Sequence, residues 1–418
     1  ILGVLPRVTT DPLGTFTAAA ALGPLVHLGT TWDPVVGRSP CLLVSDPALI
    51  EPVLLDLRTF DKDYRVLGPI MGDGIFTSSG DTWRVDRRAL TPAFSRAAHD
   101  GFLAAMRAAV HDRLSTWSPG DTLHLAREMS TLTLDVVLRA LFGTVAADLE
   151  ADVHRGLREA IPILDQRVWL PSFPDWLPTP TNRRLGRAIA LLDACVERIL
   201  QLPPADPPNL LSLLRAAWPD ADDPAHRRKQ RDQLLTFVLA GHETTAAALT
   251  WTLWMLANHP DLEEQVRQEL TTRAGDTPDD LPFLHATTQE ALRLHPPVWA
   301  FARTVLQPTT LGDHPLSPGD VLFVCPWQLH RQPLHHPDPL RPDPGRHLRP
   351  PTWHPSAFLP FGGGPRTCLG NRFAILELAV LLSGLLRRFR FTFLGSLREL
   401  PRLTLYPDGD LRVRLTAP

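Results

Sequence analysis

Apolar positions are most continuous between Arg231 and Asn258, where polar residues intrude mainly in the run Gly241-His-Glu-Thr-Thr245. Such continuity predicts one long, nearly all-apolar helix. Its inner stretch, Leu234–Ala257, approaches bilayer length. A carboxylate at mid-span is costly in lipid, so burial inside a large protein is the expected setting, with no transmembrane segment. A helical period at Phe102, Leu103, Met106, Val110, Leu114 and Trp117 predicts a helix over Gly101–Trp117. Helices are likewise expected over Asp46–Asp56, over Met129–Phe142 closed by Gly143, and over Thr181–Leu202 ended by Pro203-Pro204. Asp261–Thr272, Leu284–His295 and Cys368–Phe389 complete the set, and a basic helix follows Gly80-Asp-Thr-Trp83. Ile161–Pro180, aromatic and punctuated by proline, reads as loop with short helical turns. Short strands are expected at Leu25–Gly29, Cys41–Val44, Phe301–Val305 and Val321–Cys325. A last pair, Leu403–Tyr406 and Leu411–Leu415, flanks the turn sequence Pro407-Asp-Gly-Asp410 and predicts a hairpin. Between residues 333 and 365 ten prolines mark a long irregular segment between ordered elements, a kind of loop that is usually functional. The pattern is mainly α with small β-sheets, one domain over 1–418, β-rich to about residue 60 and helical from 61 onward.

The 418 residues are 44% hydrophobic and 21% charged, the balance of a soluble globular protein with a core large enough to hide a cofactor. A formal net charge of −3 speaks against a nucleic-acid partner. Only Lys62 and Lys229 among the 42 basic residues are lysines, which with 43 prolines suits a GC-rich genome and says little about function. Cys41, Cys195, Cys325 and Cys368 lie far apart, so neither a metal cluster nor a disulfide framework is expected, and a reducing, cytoplasmic setting fits. The opening Ile1-Leu-Gly-Val-Leu-Pro6 has no charged start of signal type.

Four constellations carry chemistry. In Phe361-Gly-Gly-Gly-Pro-Arg-Thr-Cys-Leu-Gly370 the glycines permit a tight turn, and Cys368 opens a helix whose free N–H groups favour a thiolate. Gly362 and Gly370 leave room beside the sulfur, and Arg366 can donate a two-pronged hydrogen bond to a carboxylate. Without any relative, a Gly-rich loop with a structural cysteine also fits. Ala240-Gly-His-Glu-Thr-Thr245 places poor helix formers and a carboxylate inside the buried helix; a polar seam between packed helices is the alternative. Glu290-Ala-Leu-Arg293 alone is an ordinary helical ion pair. Trp83 and Arg87 share a helix face and can donate to one anion, though a solvated basic helix fits as well.

Together, in this order along nearly the whole chain, these motifs resemble those of the cytochrome P-450 haem-thiolate monooxygenases. The run Phe361–Gly370 matches the family's cysteine signature at every fixed position. The resemblance implies that fold and a haem b cofactor, with Cys368 as axial iron ligand. It implies Thr244 near dioxygen and Glu243 in proton delivery. Glu290 and Arg293 would lock the core through Arg346. Trp83, Arg87 and Arg303 would hold the haem propionates, and His330 has no assigned role. Since the chain carries no flavin or iron–sulfur motif after the cysteine helix, a separate ferredoxin or flavodoxin is expected, docking at Arg84, Arg88 and Arg372 of a monomer with room for peripheral membrane contact. By family position the pocket is lined from Val66–Met71, Ile161–Phe173, Val298–Phe301 and Leu403–Tyr406, with Leu67, Ile70, Met71, Trp169, Phe237, Ala240, Val298, Trp299 and Phe301 prominent. The only charges expected there are Arg65, Asp165 and Arg167. The chain looks most like bacterial carotenoid ring hydroxylases. A fatty-acid or terpenoid hydroxylase, a peroxygenase and a non-enzymatic haem-thiolate sensor are the alternatives.

Overall fold

A computed structural model describes residue 7 and residues 10–33, 37–62, 64–95, 98–143, 147–169, 174–203, 209–220 and 222–418. Among them the architecture is mainly helical with four small sheets. Strand β1 (Leu25–Asp33) pairs antiparallel with β2 (Gly37–Val44). β2 then runs parallel to β8 (Val321–Val324), β8 antiparallel to β5 (Phe301–Val305), and β5 antiparallel to β3 (Phe60–Asp61). The first strands of the chain therefore share a sheet with strands from its last third, and neither part is complete alone. Between β5 and β8 lies a small hairpin, β6 (Thr309–Leu311) with β7 (His314–Leu316).

Helix α1 (Pro47–Leu55) starts where Asp46 Oδ1 accepts from the Ala48 N–H at 2.9 Å. Further along come α2 (Gly80–Leu90), α3 (Leu125–Val137), α4 (Ala147–Trp169), α5 (Pro224–Ala257), α6 (Pro282–Leu294) and α7 (Asn371–Arg388). The helix expected to close at Gly143 does so in a wide turn over Leu138–Phe142, with Gly143 at φ 74°. Helix α5 begins earlier than its apolar run, because Asp223 caps a polar first turn.

Two expectations fail. Ile161–Trp169 is not loop: it is the end of α4, which continues through Pro162. Proline removes one ladder bond, but Ile163 and Leu164 are buried in the main core, and that burial outweighs the local break. The predicted C-terminal hairpin also does not form. β11 (Leu405–Gly409) pairs with β10 (Leu397–Pro401), while β12 (Arg412–Thr416) pairs with β4 (Thr122–His124) and β9 (Arg390–Phe393). Gly409, at φ 124°, turns the chain out of one sheet, and Val413 and Leu415 are buried with Phe391 in the other.

The largest core cluster joins α3, α5 and α7. Along α5 nearly every side chain from Gln230 onward is buried, yet Ala240 is exposed and Gly241, Glu243 and Thr244 are only half-buried. An exposed alanine in mid-core marks the wall of a cleft. No helix among the described residues is long and apolar enough to cross a membrane.

Candidate active site

The cysteine loop is shaped by α1. Gly362 and Gly364 sit at φ 68° and 65°, a region that disfavours a side chain. A Cβ on Gly364 would also collide with the Leu54 carbonyl, and one on Gly363 would lie 2.9 Å from Leu54 Cδ1. By contrast, a Cβ on Gly370 would only touch the Phe94 ring, at 3.8 Å. Cys368 lies before α7 rather than in its first turn, because Gly370 is the N-cap. Its N–H donates to Phe361 O at 3.0 Å, which closes the loop. Of the four cysteines only Cys368 is exposed. Burial pushes its thiol upward, while the Gly370 N–H and the charges of Lys62 and Arg87 pull it down. Cys195 and Cys325, enclosed in the core, are pushed up to about 11 and about 12 and remain inert thiols.

Helix α5 divides the second motif into two faces. Gly241 serves packing: a Cβ there would meet Val137 Cγ2 of α3 at 3.0 Å. His242 faces the same way, with Nε2 2.7 Å from Ser130 Oγ. Ala240, Glu243 and Thr244 turn toward the cleft. Thr244 donates its hydroxyl to Ala240 O at 2.7 Å, which supplies that carbonyl with a second donor. Burial raises Glu243 to about 7, with Arg402 opposing and Asp165 adding to the rise. A carboxyl with that value both gives and takes a proton at neutral pH. Behind it, Thr245 faces Glu377 of α7, which is wholly buried and held protonated by desolvation.

Positive charge gathers on the other side of the cysteine. Arg303 of β5 is 2% exposed, donates to the carbonyl of its neighbour Ala302 (2.9 Å), hydrogen-bonds the Tyr64 side chain, and leaves Nε without a partner among the described residues. Its guanidinium stands 5.0 Å from the Phe301 ring centroid. Arg366 stacks 4.2 Å over Trp83, donates to Asp61 Oδ1 at 2.6 Å and Ser78 O at 2.8 Å, and also leaves Nε unpartnered. Lys62 lies beside both, and burial together with their charges lowers it to about 7. Tyr64 faces Arg303. Two buried arginines and the half-buried Lys62 thus stand around one carboxylate, Asp61, and among the described residues two guanidinium Nε–H groups have no hydrogen-bond partner. Such a pocket calls for an anionic group with several oxygens, and haem propionates fit it. Arg366 is more engaged than the sequence suggests, since Asp61 already holds one arm. Arg87 reaches Thr367 O at 2.9 Å and adjoins the cysteine. Asp86 does not discharge this basic helix: it is buried against Ser78 (3.0 Å) and Lys229 (2.9 Å).

The third motif forms a closed network. Glu290 and Arg293 have no exposure and are joined by two hydrogen bonds of 2.8 Å. Arg293 also donates to His330 O and Pro339 O. Glu290 further receives the Asp343 N–H (2.8 Å), His347 Nε2 (2.9 Å) and Arg346 Nε (3.4 Å). Burial pushes Glu290 up, but these donors outweigh it and hold the carboxyl at about 2. His330 gains a structural reading: its Nε2 accepts from the Leu359 N–H at 2.8 Å, tying α6 to the approach of the cysteine loop.

The structure revises the pocket lining. Leu67, Met71 and Phe237 belong to the main core cluster, and Val298 is 40% exposed. Ile70 has no exposure and is a core residue. Trp299 packs against Phe16 and Cys325, and its indole donates to Arg402 O at 2.6 Å, so it supports a turn instead of facing a substrate. Phe301 lies in the sheet core beneath Arg303. The Trp169 side chain lies outside the described residues. Lys62, Tyr64, His347 and Glu377 escaped the sequence reading. Two of them left a trace: Lys62 is one of two lysines, and Glu377 interrupts an apolar helical run.

The chain matches a family model described as Cytochrome P450 over residues 27–404. It is 33% identical to cyclooctat-9-en-7-ol 5-monooxygenase of Streptomyces melanosporofaciens, over 97% of this chain and 89% of that protein. It is 31% identical to the LUTEIN DEFICIENT 5 protein of Arabidopsis thaliana, over 88% and 69% of the two. Among solved structures, CYP175A1 of Thermus superposes with a TM-score of 0.80 at 29% identity, covering 98% of this chain and 96% of that one. The chain belongs to the cytochrome P450 family of monooxygenases.

Proposed function

We propose that this monooxygenase hydroxylates an isoprenoid, with a cyclic terpenoid ahead of a carotenoid. The observation that carries the reading is the cleft wall itself. Ala240 is exposed in the middle of a buried apolar helix, Phe237 lies one turn before it, and the polar groups of the α5 motif beside it are Glu243 and Thr244. Such a lining favours a bulky apolar body. The terpenoid named in the Streptomyces relative supports this choice. The carotenoid reading keeps the weaker support of the Arabidopsis relative's name. A fatty acid loses its anchor, because Arg167 is already bonded to Asp175 (2.7 Å) and Asn182 (2.8 Å). The paired Glu243 and Thr244 favour monooxygenation over a peroxygenase or a sensor, neither of which needs a proton relay.

Haem b, held by Cys368, supplies the oxygen-activating chemistry. The residues around it supply control. Gly370 N–H, Lys62 and Arg87 oppose the upward push that burial gives the Cys368 thiol and so favour its thiolate as an iron ligand. Arg303, Arg366, Trp83 and Lys62 fix the propionate edge. Glu243 holds a proton, and Thr244 passes it on when its hydroxyl leaves Ala240 O. Arg84, Arg88 and Arg372 are exposed and offer a basic surface to an acidic ferredoxin or flavodoxin.

Thr244→Ala tests the relay. It should keep haem and substrate binding while product per electron falls about tenfold or more, the electrons appearing as peroxide. Thr244→Ser should restore coupling. Unchanged coupling in the alanine variant would reduce Thr244 to packing.

A further inference from the structure

The apolar cleft has one polar end, where α4 meets the turn between β10 and β11. Asp165 follows the fully buried Leu164 on α4. Its Oδ1 is buried and has no hydrogen-bond partner, and the Leu403 amide faces the carboxylate. Arg402, in the turn, makes no ion pair through its side chain among the described residues; its guanidinium stands 5.7 Å from the Tyr406 ring centroid. The Leu403 amide hydrogen-bonds the Asp165 carboxylate, which seats Asp165 against the turn that carries the exposed Arg402, and the Arg402 charge acts on both Asp165 and Glu243. The turn is firmly held: Trp299 Nε1 donates to Arg402 O at 2.6 Å, Leu405 N–H to Pro297 O at 2.8 Å, and Trp251 Nε1 to Leu405 O at 3.0 Å.

A buried carboxylate oxygen without a donor is costly, and a cation nearby but out of ion-pair contact leaves room for a small group between them. That group must donate to Asp165 and accept from Arg402. A carboxylate would meet Asp165 and Glu243 as like charges. An ammonium would meet Arg402. A ketone accepts but cannot donate, and a hydrocarbon does neither. An alcohol does both. We infer that the substrate is an isoprenoid alcohol whose existing hydroxyl is held between Asp165 and Arg402, with its apolar body against Ala240. This rests on the isoprenoid reading and narrows it: the hydroxyl is installed before this enzyme acts.

The test is Soret titration of the haem-loaded protein with two matched pairs, cedrol against cedrene and farnesol against farnesene. The alcohols should bind about 10- to 100-fold tighter, the range of a hydrogen bond to a charged group. Asp165→Leu and Arg402→Leu should each erase that preference while leaving hydrocarbon affinity intact, and Arg402→Lys should retain part of it. Equal affinity within each pair, or equal loss of alcohol and hydrocarbon in both leucine variants, would overturn the inference alone. Absence of a shift with all four compounds would overturn the isoprenoid reading and this inference with it.

Discussion

Cys368→Ser is expected to abolish the red-shifted Soret band of the reduced, carbon-monoxide-treated protein, and all oxygenation with it. The argument is one of access and charge. Cys368 alone is exposed, at the mouth of a loop whose turn is fixed by Gly362 and Gly364. The buried Cys195 and Cys325 are pushed to about 11 and about 12 and do not offer a thiolate. A serine hydroxyl is far too weak an acid to take the sulfur's place. Cys195→Ser should leave the band unchanged. A normal band in Cys368→Ser, or its loss in Cys195→Ser, would reverse the assignment.

The second large effect is on stability. Glu290→Gln keeps the shape of the side chain and removes its charge. Arg293, with no exposure, then lacks its counterion, and His347 and Arg346 lose theirs. Breaking one partner of a buried pair costs about 3–5 kcal/mol, and that loss should appear in the denaturant midpoint of the haem-loaded variant. The pH dependence has a defined sign. Glu290 is held at about 2, below its ordinary value of 4.5, so its contribution is complete above 4.5 and disappears as pH falls toward 2. The variant should lack that component of acid destabilisation. Stability within 1 kcal/mol of wild type (about a factor of five in the folding equilibrium) would show that the network is not what holds α6 to the proline-rich segment.

The chemistry was most legible where it imposes residue types on consecutive positions. The cysteine loop needs glycine at 362 and 364 for backbone reasons, and the second motif places a carboxylate and a hydroxyl on one turn of α5. Either leaves a local mark. The cation pocket leaves no contiguous mark: Arg303 and Arg366 are legible one at a time, but their meeting with Lys62 is not, because the three come from separate segments. Asp165 is legible as a pocket charge, but its proximity to the turn that carries Arg402 is not. Helix α4 was hidden by Pro162, whose local penalty is overridden by the burial of Ile163 and Leu164. The C-terminal strands were each visible, but strand pairing is decided by partners far away in the chain. Pro407-Asp-Gly-Asp410 therefore reads as a hairpin turn although it separates two sheets. Trp299 shows the limit in a single side chain: being apolar and near the site in sequence did not decide which side of the sheet it faces.

Isotope labelling tests the central claim most directly. The wild-type protein would be supplied with NADPH, a surrogate ferredoxin and its reductase, and the isoprenoid that gives the largest Soret shift. The reaction would be run under ¹⁸O₂ and, separately, in H₂¹⁸O. Monooxygenation predicts one ¹⁸O atom in each product molecule from the labelled gas and none from labelled water. Product oxygen drawn from water, or NADPH consumption without any labelled product across the isoprenoid panel, would contradict it.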